Sequence, residues 1–168
     1  ITLSPLKINN VFYKQKPKIN KEVIKAIKEA NLIVLSMGSP YTSVIPNLIC
    51  EEVINEIDNS NAKIVYCCNL VTQPGETDGL KVSDHIKILN RYLGKRKIDL
   101  VIANNGKIDK EIANKYSSLE QKDPVILDSK ETKQYADLIS DDLVLIENNL
   151  LRHNSLKLSY HIFSLLMK

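Results

Sequence analysis

Ile64-Val65-Tyr66-Cys67-Cys68-Asn69-Leu70-Val71-Thr72-Gln73-Pro74-Gly75-Glu76-Thr77-Asp78-Gly79 is the stretch whose reading decides the fold. Ile64 to Cys67 is apolar or small with no charge, and β-branched and aromatic types lead. That composition suits a strand covered on both faces. At Asn69 the character changes: Asn69, Thr72, Gln73, Glu76, Thr77 and Asp78 crowd around the turn formers Pro74 and Gly75. A helix is expected next, capped by Ser83, with Val82, Ile86, Leu89 and Leu93 at helical spacing and Gly94 past its end. A polar loop between a buried strand and a helix is where open α/β sheets bind ligands.

The same alternation extends in both directions. Upstream, Asn20 caps a helix running to about Ala30, and Leu32 to Leu35 reads as a second buried strand. Its polar exit is Ser36-Met37-Gly38-Ser39-Pro40-Tyr41-Thr42-Ser43. Pro46 suits the first turn of a helix reaching about Ile57. Asn10 to Tyr13 is a short strand candidate, and the first seven residues resemble an interior segment. Downstream, Ile98 to Ala103 is a continuous apolar strand broken only by Asp99, ending in Asn104-Asn105-Gly106. A helix from about Asp109 to Tyr116 follows. Pro124 to Leu127 and Leu143 to Ile146 are short strand candidates. Asn154 caps a terminal helix that buries Leu158, Ile162 and Leu165 or Leu166. Segment 129–142 gives no clear pattern. Strands alternating with amphipathic helices imply a mostly parallel sheet with right-handed crossovers. The expected fold is therefore α/β, a Rossmann-like three-layer domain, with residues 1–168 forming one unit.

Composition narrows the function. With 43% hydrophobic and 26% charged residues, the chain has the make-up of an ordinary globular protein. Its net charge is only +3, with 23 basic residues scattered along it. A nucleic-acid surface would gather them, and single-strand binding would want more aromatics. No apolar run is long enough to span a membrane. Cys50, Cys67 and Cys68 form no Cys-x-x-Cys pair and read as reduced, small hydrophobes of a cytoplasmic protein rather than metal ligands. Five glycines make neither a Gly-x-Gly-x-x-Gly nor a Walker loop.

Three strands end in polar loops, around Ser36 to Ser43, Asn69 to Asp78 and Asn104 to Lys107. A parallel sheet puts all three on one edge, where they are expected to line one cleft. Ser39, Thr42 and Ser43 precede a helix, so they suit either helix capping or a phosphate, and Gly38 allows close backbone approach. Chemistry alone leaves those two readings equal. Thr72, Gln73, Glu76 and Thr77 fit a polyhydroxylated or phosphorylated ligand, or a solvated turn. His85 beside Asp84 suggests a general base, but neighbours on a helix point apart. A polar cap or a buried hydrogen-bonded residue is the better reading. Arg152 fits a phosphate grip or an ordinary surface arginine, and chemistry alone favours the surface.

Gly38-Ser39-x-Tyr41-Thr42-Ser43-Val44-Ile45-Pro46-Asn47-Leu48, then Cys68-Asn69-Leu70-x-Thr72-Gln73-Pro74-Gly75-Glu76-Thr77, then Asp84-His85, then Arg152-His153, resemble the gluconeogenesis-factor family. This is the YvcK-like branch of the superfamily containing 2-phospho-L-lactate transferase (CofD-like). The resemblance runs from about Asn10 to the C-terminus and covers the C-terminal half of the family pattern. The Gly-rich N-terminal half has no counterpart here, so the chain is expected to be part of a longer nucleotide-binding protein.

The resemblance implies a Rossmann-like fold that binds a UDP-sugar or other nucleotide. It also implies a cytoplasmic regulatory role in cell shape and cell-wall synthesis during gluconeogenic growth, without an established reaction. The alternative it carries is a Mg²⁺-dependent transferase acting on a diphosphate substrate. The ligand-binding set it implies is Gly38, Ser39, Tyr41, Thr42, Ser43, Asn69, Thr72, Gln73, Glu76, Thr77, Asn104, Tyr116 and Arg152, with no catalytic or metal-binding residue assigned. Within that set, Tyr116 and Arg152 match UDP-sugar positions. Read without it, Tyr116 is an aromatic covering the core at a helix end. The expected partner is the nucleotide sugar, with a homodimer left open. The chain departs from the family's usual Gly-Pro-Gly-Ser-Leu-Tyr at Ser36 and Pro40, and from its usual Arg-His-Asp at Asn154. Losing a glycine and gaining a stiff proline reshape the backbone that would hold a phosphate.

Overall fold

A computed structural model describes residues 8–167. The expected interior-like segment 1–7 lies outside the described residues. The backbone alternates as the sequence implies. Helix α1 (Lys21–Glu29) is capped by Asn20, whose side chain accepts from the Glu22 N–H. It leads to strand β1 (Leu32–Leu35). A π-helical turn (Pro40–Val44) runs into α2 (Ile45–Leu48), and α3 (Glu51–Asn59) follows. Then come β2 (Lys63–Cys67), α4 (Val82–Asn90), β3 (Leu100–Asn104), α5 (Lys110–Glu120), α6 (Ser129–Thr132) and β4 (Asp137–Asp141). A hairpin of β5 (Val144–Glu147) and β6 (Leu150–His153) leads into α7 (Ser155–Ser164).

The four-stranded sheet has the order β1-β2-β3-β4, all parallel. Ile33 pairs with Ile64, and Val65 with Leu100. One face buries Ile64, Tyr66, Val101 and Ala103 under Ile45, Leu48, Ile57, Ile86 and Leu89 of α2, α3 and α4. The other face buries Val65, Cys67, Leu100 and Ile102 under Leu158, Ile162 and Leu165 of the α7 segment. This is the three-layer α/β arrangement. All three cysteines are free and buried.

Several local expectations are corrected. Asn10 to Tyr13 is not a strand; Val11 instead packs its side chain on the core. The helix expected from Pro46 to Ile57 starts earlier, at Pro40, and breaks at Ile49–Cys50 before α3. Pro124 to Leu127 forms only a single antiparallel bridge from Pro124 to Val71. Ser83 does not cap α4. Lys81 is the cap residue, and the Asp84 carboxylate accepts the Lys81 N–H. Ser83 instead gives its N–H and hydroxyl to the Asp128 carboxylate, at 3.1 and 2.6 Å. β4 and β6 form where the sequence shows no clear strand pattern; β4 carries Asp137, Ser140 and Asp141, so its apolar signal is short. β1, read from the sequence as a buried strand, forms one edge of the sheet, with Val34 exposed.

The amino-terminal end of the sheet is fastened by charge. Asp99, the one acid in the apolar β3 run, accepts the Ile64 N–H at 2.7 Å and faces Arg96 at 3.3 Å. Arg96 also donates to the carbonyls of Ser60 and Ala62. Asp58 accepts the Lys95 and Arg96 N–H groups. Gly94 sits in this crossing at φ 60°, where an added Cβ would lie 2.7 Å from the Asp58 carboxylate.

Val65 is fully buried in β2. Val65→Asp is expected to cost several kcal/mol, because it buries a charge with no partner. Urea denaturation of the two proteins checks this; a loss within the range of a surface substitution would mean that this face of the sheet is open.

Candidate functional site

Parallel pairing sends the exits of β1, β2 and β3 to one edge, as the sequence implies. The first two loops touch there. Ser39 donates its hydroxyl to the Glu76 carboxylate, and Thr42 approaches the same oxygen at 3.5 Å. The π-helical turn shapes the first loop: the Ser39 carbonyl accepts from both Ser43 and Val44. Gly38 is required by space, since an added Cβ would lie 2.6 Å from the Ser43 Cβ. Thr42 and Ser43 are exposed, and Ser39 is half-buried. Tyr41 is half-buried against the core, and burial together with neighbouring Tyr92 raises its pKa.

In the second loop the threonines are structural. Thr72 is buried; its hydroxyl accepts the Asp123 N–H at 3.0 Å, and its own N–H donates to the Asp123 carbonyl. Thr77 is buried and accepts the Gln73 N–H at 2.7 Å. Asp78 accepts the Gly75 N–H. These bonds hold the turn so that Glu76 reaches the first loop. Gln73 and Asn69 stay half-buried at the rim, with the Asn69 side chain 3.4 Å from the Tyr66 hydroxyl.

The third loop is tied to its own turn and to the start of the β5–β6 hairpin rather than to the first two loops. Asn104 donates to the Gly106 carbonyl and accepts from the Gly106 and Leu143 N–H groups. Its amide is spent on the turn that starts the β5–β6 hairpin. That hairpin folds back over the end of β2. His153 Nε2 meets the Cys68 carbonyl at 3.1 Å, and Leu151 packs with Leu70 and Tyr116. The Tyr116 hydroxyl accepts the Leu151 N–H at 2.9 Å and is buried, so the core-covering reading of its ring describes this geometry. Arg152, the next residue, points the other way and is exposed. Tyr116 thus positions the strand that carries Arg152. Sequence reasoning missed Asp123, Asp128 and the role of His153. The two aspartates sit in loops without periodicity, whereas His153 was visible beside Arg152.

Beneath the edge lies a buried polar pair. His85 is fully buried, and its Nδ1 meets the Tyr66 hydroxyl at 2.9 Å. The His85 Nε2 has no partner. Burial lowers its pKa to about 4, against an opposing pull from Asp84. This is the buried, hydrogen-bonded reading of His85. The carboxylates near the edge are also engaged: Glu76 and Asp78 as described, and Asp141 by His161 at 3.0 Å and Lys157 at 3.3 Å. Among the described residues, no three His, Cys, Asp or Glu side chains gather as a metal cage.

Comparison with known proteins places this geometry among relatives. A sequence model of the family described as 2-phospho-L-lactate transferase CofD matches residues 2–144. The gluconeogenesis factor of Bacillus subtilis is 39% identical over 146 residues, covering 86% of this chain and 46% of that protein. The gluconeogenesis factor of Halalkalibacterium halodurans is 39% identical over 155 residues, covering 91% and 48%. A crystal structure of a UPF0052-family protein from Bacillus halodurans superposes with a TM-score of 0.85 at 38% identity, covering 93% of this chain and 51% of that one. The chain spans about half the length of the curated relatives it matches.

The buried histidine makes an acid-side prediction. Its folded pKa lies below the unfolded value near 6.5. The unfolded chain therefore binds the proton first, and stability falls as the pH drops from about 6.5 to about 4, by on the order of 3 kcal/mol in all. His153, also lowered by burial, adds in the same direction. Denaturation curves of wild type and His85→Asn across that window check this. The asparagine retains an acceptor for Tyr66 and should flatten most of the slope.

Proposed function

The chain belongs to the family described as 2-phospho-L-lactate transferase CofD, and on that premise we propose that it contributes the binding edge of a nucleotide-sugar-binding regulator of the gluconeogenesis-factor type. The observation that carries this reading is the meeting of two strand-end loops, with the Ser39 and Thr42 hydroxyls on Glu76. Hydroxyls, a helix start and an exposed arginine suit a ligand that combines sugar hydroxyls with a diphosphate. The Ser39–Ser43 turn would face the diphosphate, Gln73 and Asn69 the sugar hydroxyls, and Arg152 a phosphate oxygen. The ligand is a UDP-sugar or a related nucleotide. The cellular role would be cytoplasmic support of cell shape and cell-wall synthesis on gluconeogenic carbon.

The transferase alternative asks more of these residues. Mg²⁺ is usually held by one or two carboxylates together with substrate phosphates. Glu76 is the carboxylate at the cleft, and the loop hydroxyls occupy it. Asp78 is turned onto the Gly75 N–H, and Asp141 is paired with His161 and Lys157. The described residues at this edge do not fit a preformed metal site, so binding is the better reading.

The test is titration calorimetry with UDP-N-acetylglucosamine on this chain joined to the Gly-rich half of the family pattern. Binding is expected there, with weak binding by the chain alone. Arg152→Ala should lose about 1.5–3 kcal/mol, the scale of a hydrogen bond to a charged group, and Arg152→Lys should recover part of it. Gly38→Ala should weaken binding as well, because its Cβ displaces the Ser39–Ser43 turn. Unchanged affinity in Arg152→Ala removes that residue from the site, and no binding by the joined protein overturns the reading.

A further inference from the structure

A polar cluster lies inside the core directly beneath the binding edge. Tyr66, one residue from the end of β2, is fully buried. His85 of α4 is equally buried, and its Nδ1 meets the Tyr66 hydroxyl at 2.9 Å. The same hydroxyl donates to the Asn69 side-chain oxygen at 3.4 Å. The Cys68 sulfur stands 3.9 Å from Nδ1. Keeping His85 here is costly, because its Nε2 is buried without a partner. An apolar side chain would fill the same space without that cost. Nothing in the binding reading so far uses either residue.

Proton counting orders the cluster. Burial lowers the His85 pKa to about 4, so at neutral pH the ring is neutral and one nitrogen carries a proton. A tyrosine hydroxyl has a single proton to give. Given to Asn69 Oδ1, it leaves the Tyr66 oxygen to accept, and the proton of His85 must then sit on Nδ1. The Cys68 sulfur is a weak second acceptor for it. Nε2 is then a bare lone pair. In the reverse arrangement Tyr66 donates to Nδ1, Nε2–H becomes a buried donor with no acceptor, and Asn69 Oδ1 receives nothing. Orphaned buried N–H groups are the rarer defect in folded proteins. The direction is therefore His85 Nδ1–H to Tyr66 hydroxyl to Asn69 side-chain oxygen.

We propose that His85 and Tyr66 are positioning residues for ligand binding, holding the Asn69 oxygen inward so that its amide N–H groups face the cleft as donors. Asn69 is half-buried at the rim. Among the described residues nothing bonds its amide nitrogen, and the one buried side-chain polar atom without a partner is His85 Nε2. The Asn69 nitrogen is thus open to solvent. The group it recognises is an acceptor oxygen, so a sugar hydroxyl would be met through its oxygen rather than its proton. The inference deepens the nucleotide-sugar reading and rests on it for the ligand. The relay itself is internal to the core.

Nitrogen-15 NMR of this chain tests the relay without ligand. Nδ1 of His85 should be protonated and Nε2 bare, and Tyr66→Phe should shift the Asn69 side-chain amide signals. A proton on Nε2 overturns the proposal, and so do Asn69 signals indifferent to Tyr66→Phe. Titration calorimetry with UDP-N-acetylglucosamine on the joined protein tests the consequence. Asn69→Ala and Tyr66→Phe should each weaken binding about three- to tenfold. The double variant should bind no more weakly than Asn69→Ala alone, because Tyr66 acts through Asn69. His85→Leu should behave like Tyr66→Phe, and His85→Asn, whose amide can also donate to Tyr66, should keep most of the affinity. Losses that multiply in the double variant are what a merely structural role gives, and they overturn the proposal. No binding by the joined protein overturns the nucleotide-sugar reading alone, and the orientation of Asn69 is then decided by the NMR signals.

Discussion

Burial of β2 on both faces is the constraint on which the rest depends. Ile64, Val65, Tyr66 and Cys67 have almost no contact with water. A strand in that position has no room for an unpaired polar side chain until it ends. The chemistry is therefore displaced to the strand exits, and parallel pairing gathers those exits on one edge. The Ser39–Glu76 contact follows from this arrangement. The sheet brings the two loops together.

The opposite end of the sheet shows how the constraint is met where a charge must be used. Asp99 stands at the mouth of the apolar β3 segment, where it ties the Ile64 N–H to Arg96. Arg96 in turn collects carbonyls from the turn before β2. The acid thus serves as a splice between adjacent strands at the end where no binding loop lies. Polar groups at one end fix the register, and polar groups at the other end are left to face a ligand.

The three apolar strands and their order were legible because each is a run without charge, and a buried parallel strand needs little else. The first two site loops were legible because unusual residue types follow those runs. What the sequence hid was division of labour within the loops. Thr72, Thr77 and Asn104 have the same chemistry as the exposed Ser43 and the half-buried Gln73, yet they bond Asp123, Gln73, Gly106 and Leu143 of the chain itself. Only the folded geometry separates a polar side chain that holds a loop from one that faces outward. Tyr116 shows the same point, since its partner Leu151 lies 35 residues away. β4 was illegible for a different reason: as an edge strand it carries acids and a serine that mask its pairing.

The two margins of the sheet are finished unequally. β4 ends its side with Asp137 and Asp141, the kind of charged trim that discourages another strand from joining. β1 ends the other side with Leu-Ile-Val-Leu, untrimmed, with Val34 exposed and no described strand beyond it. The sheet therefore has a direction of growth. A further strand has its template at β1, and the charges on β4 discourage addition at the far side. By itself, that margin is also where chains under stress would first stick together. A lysine at Val34 would trim it, and would also block any strand that belongs there.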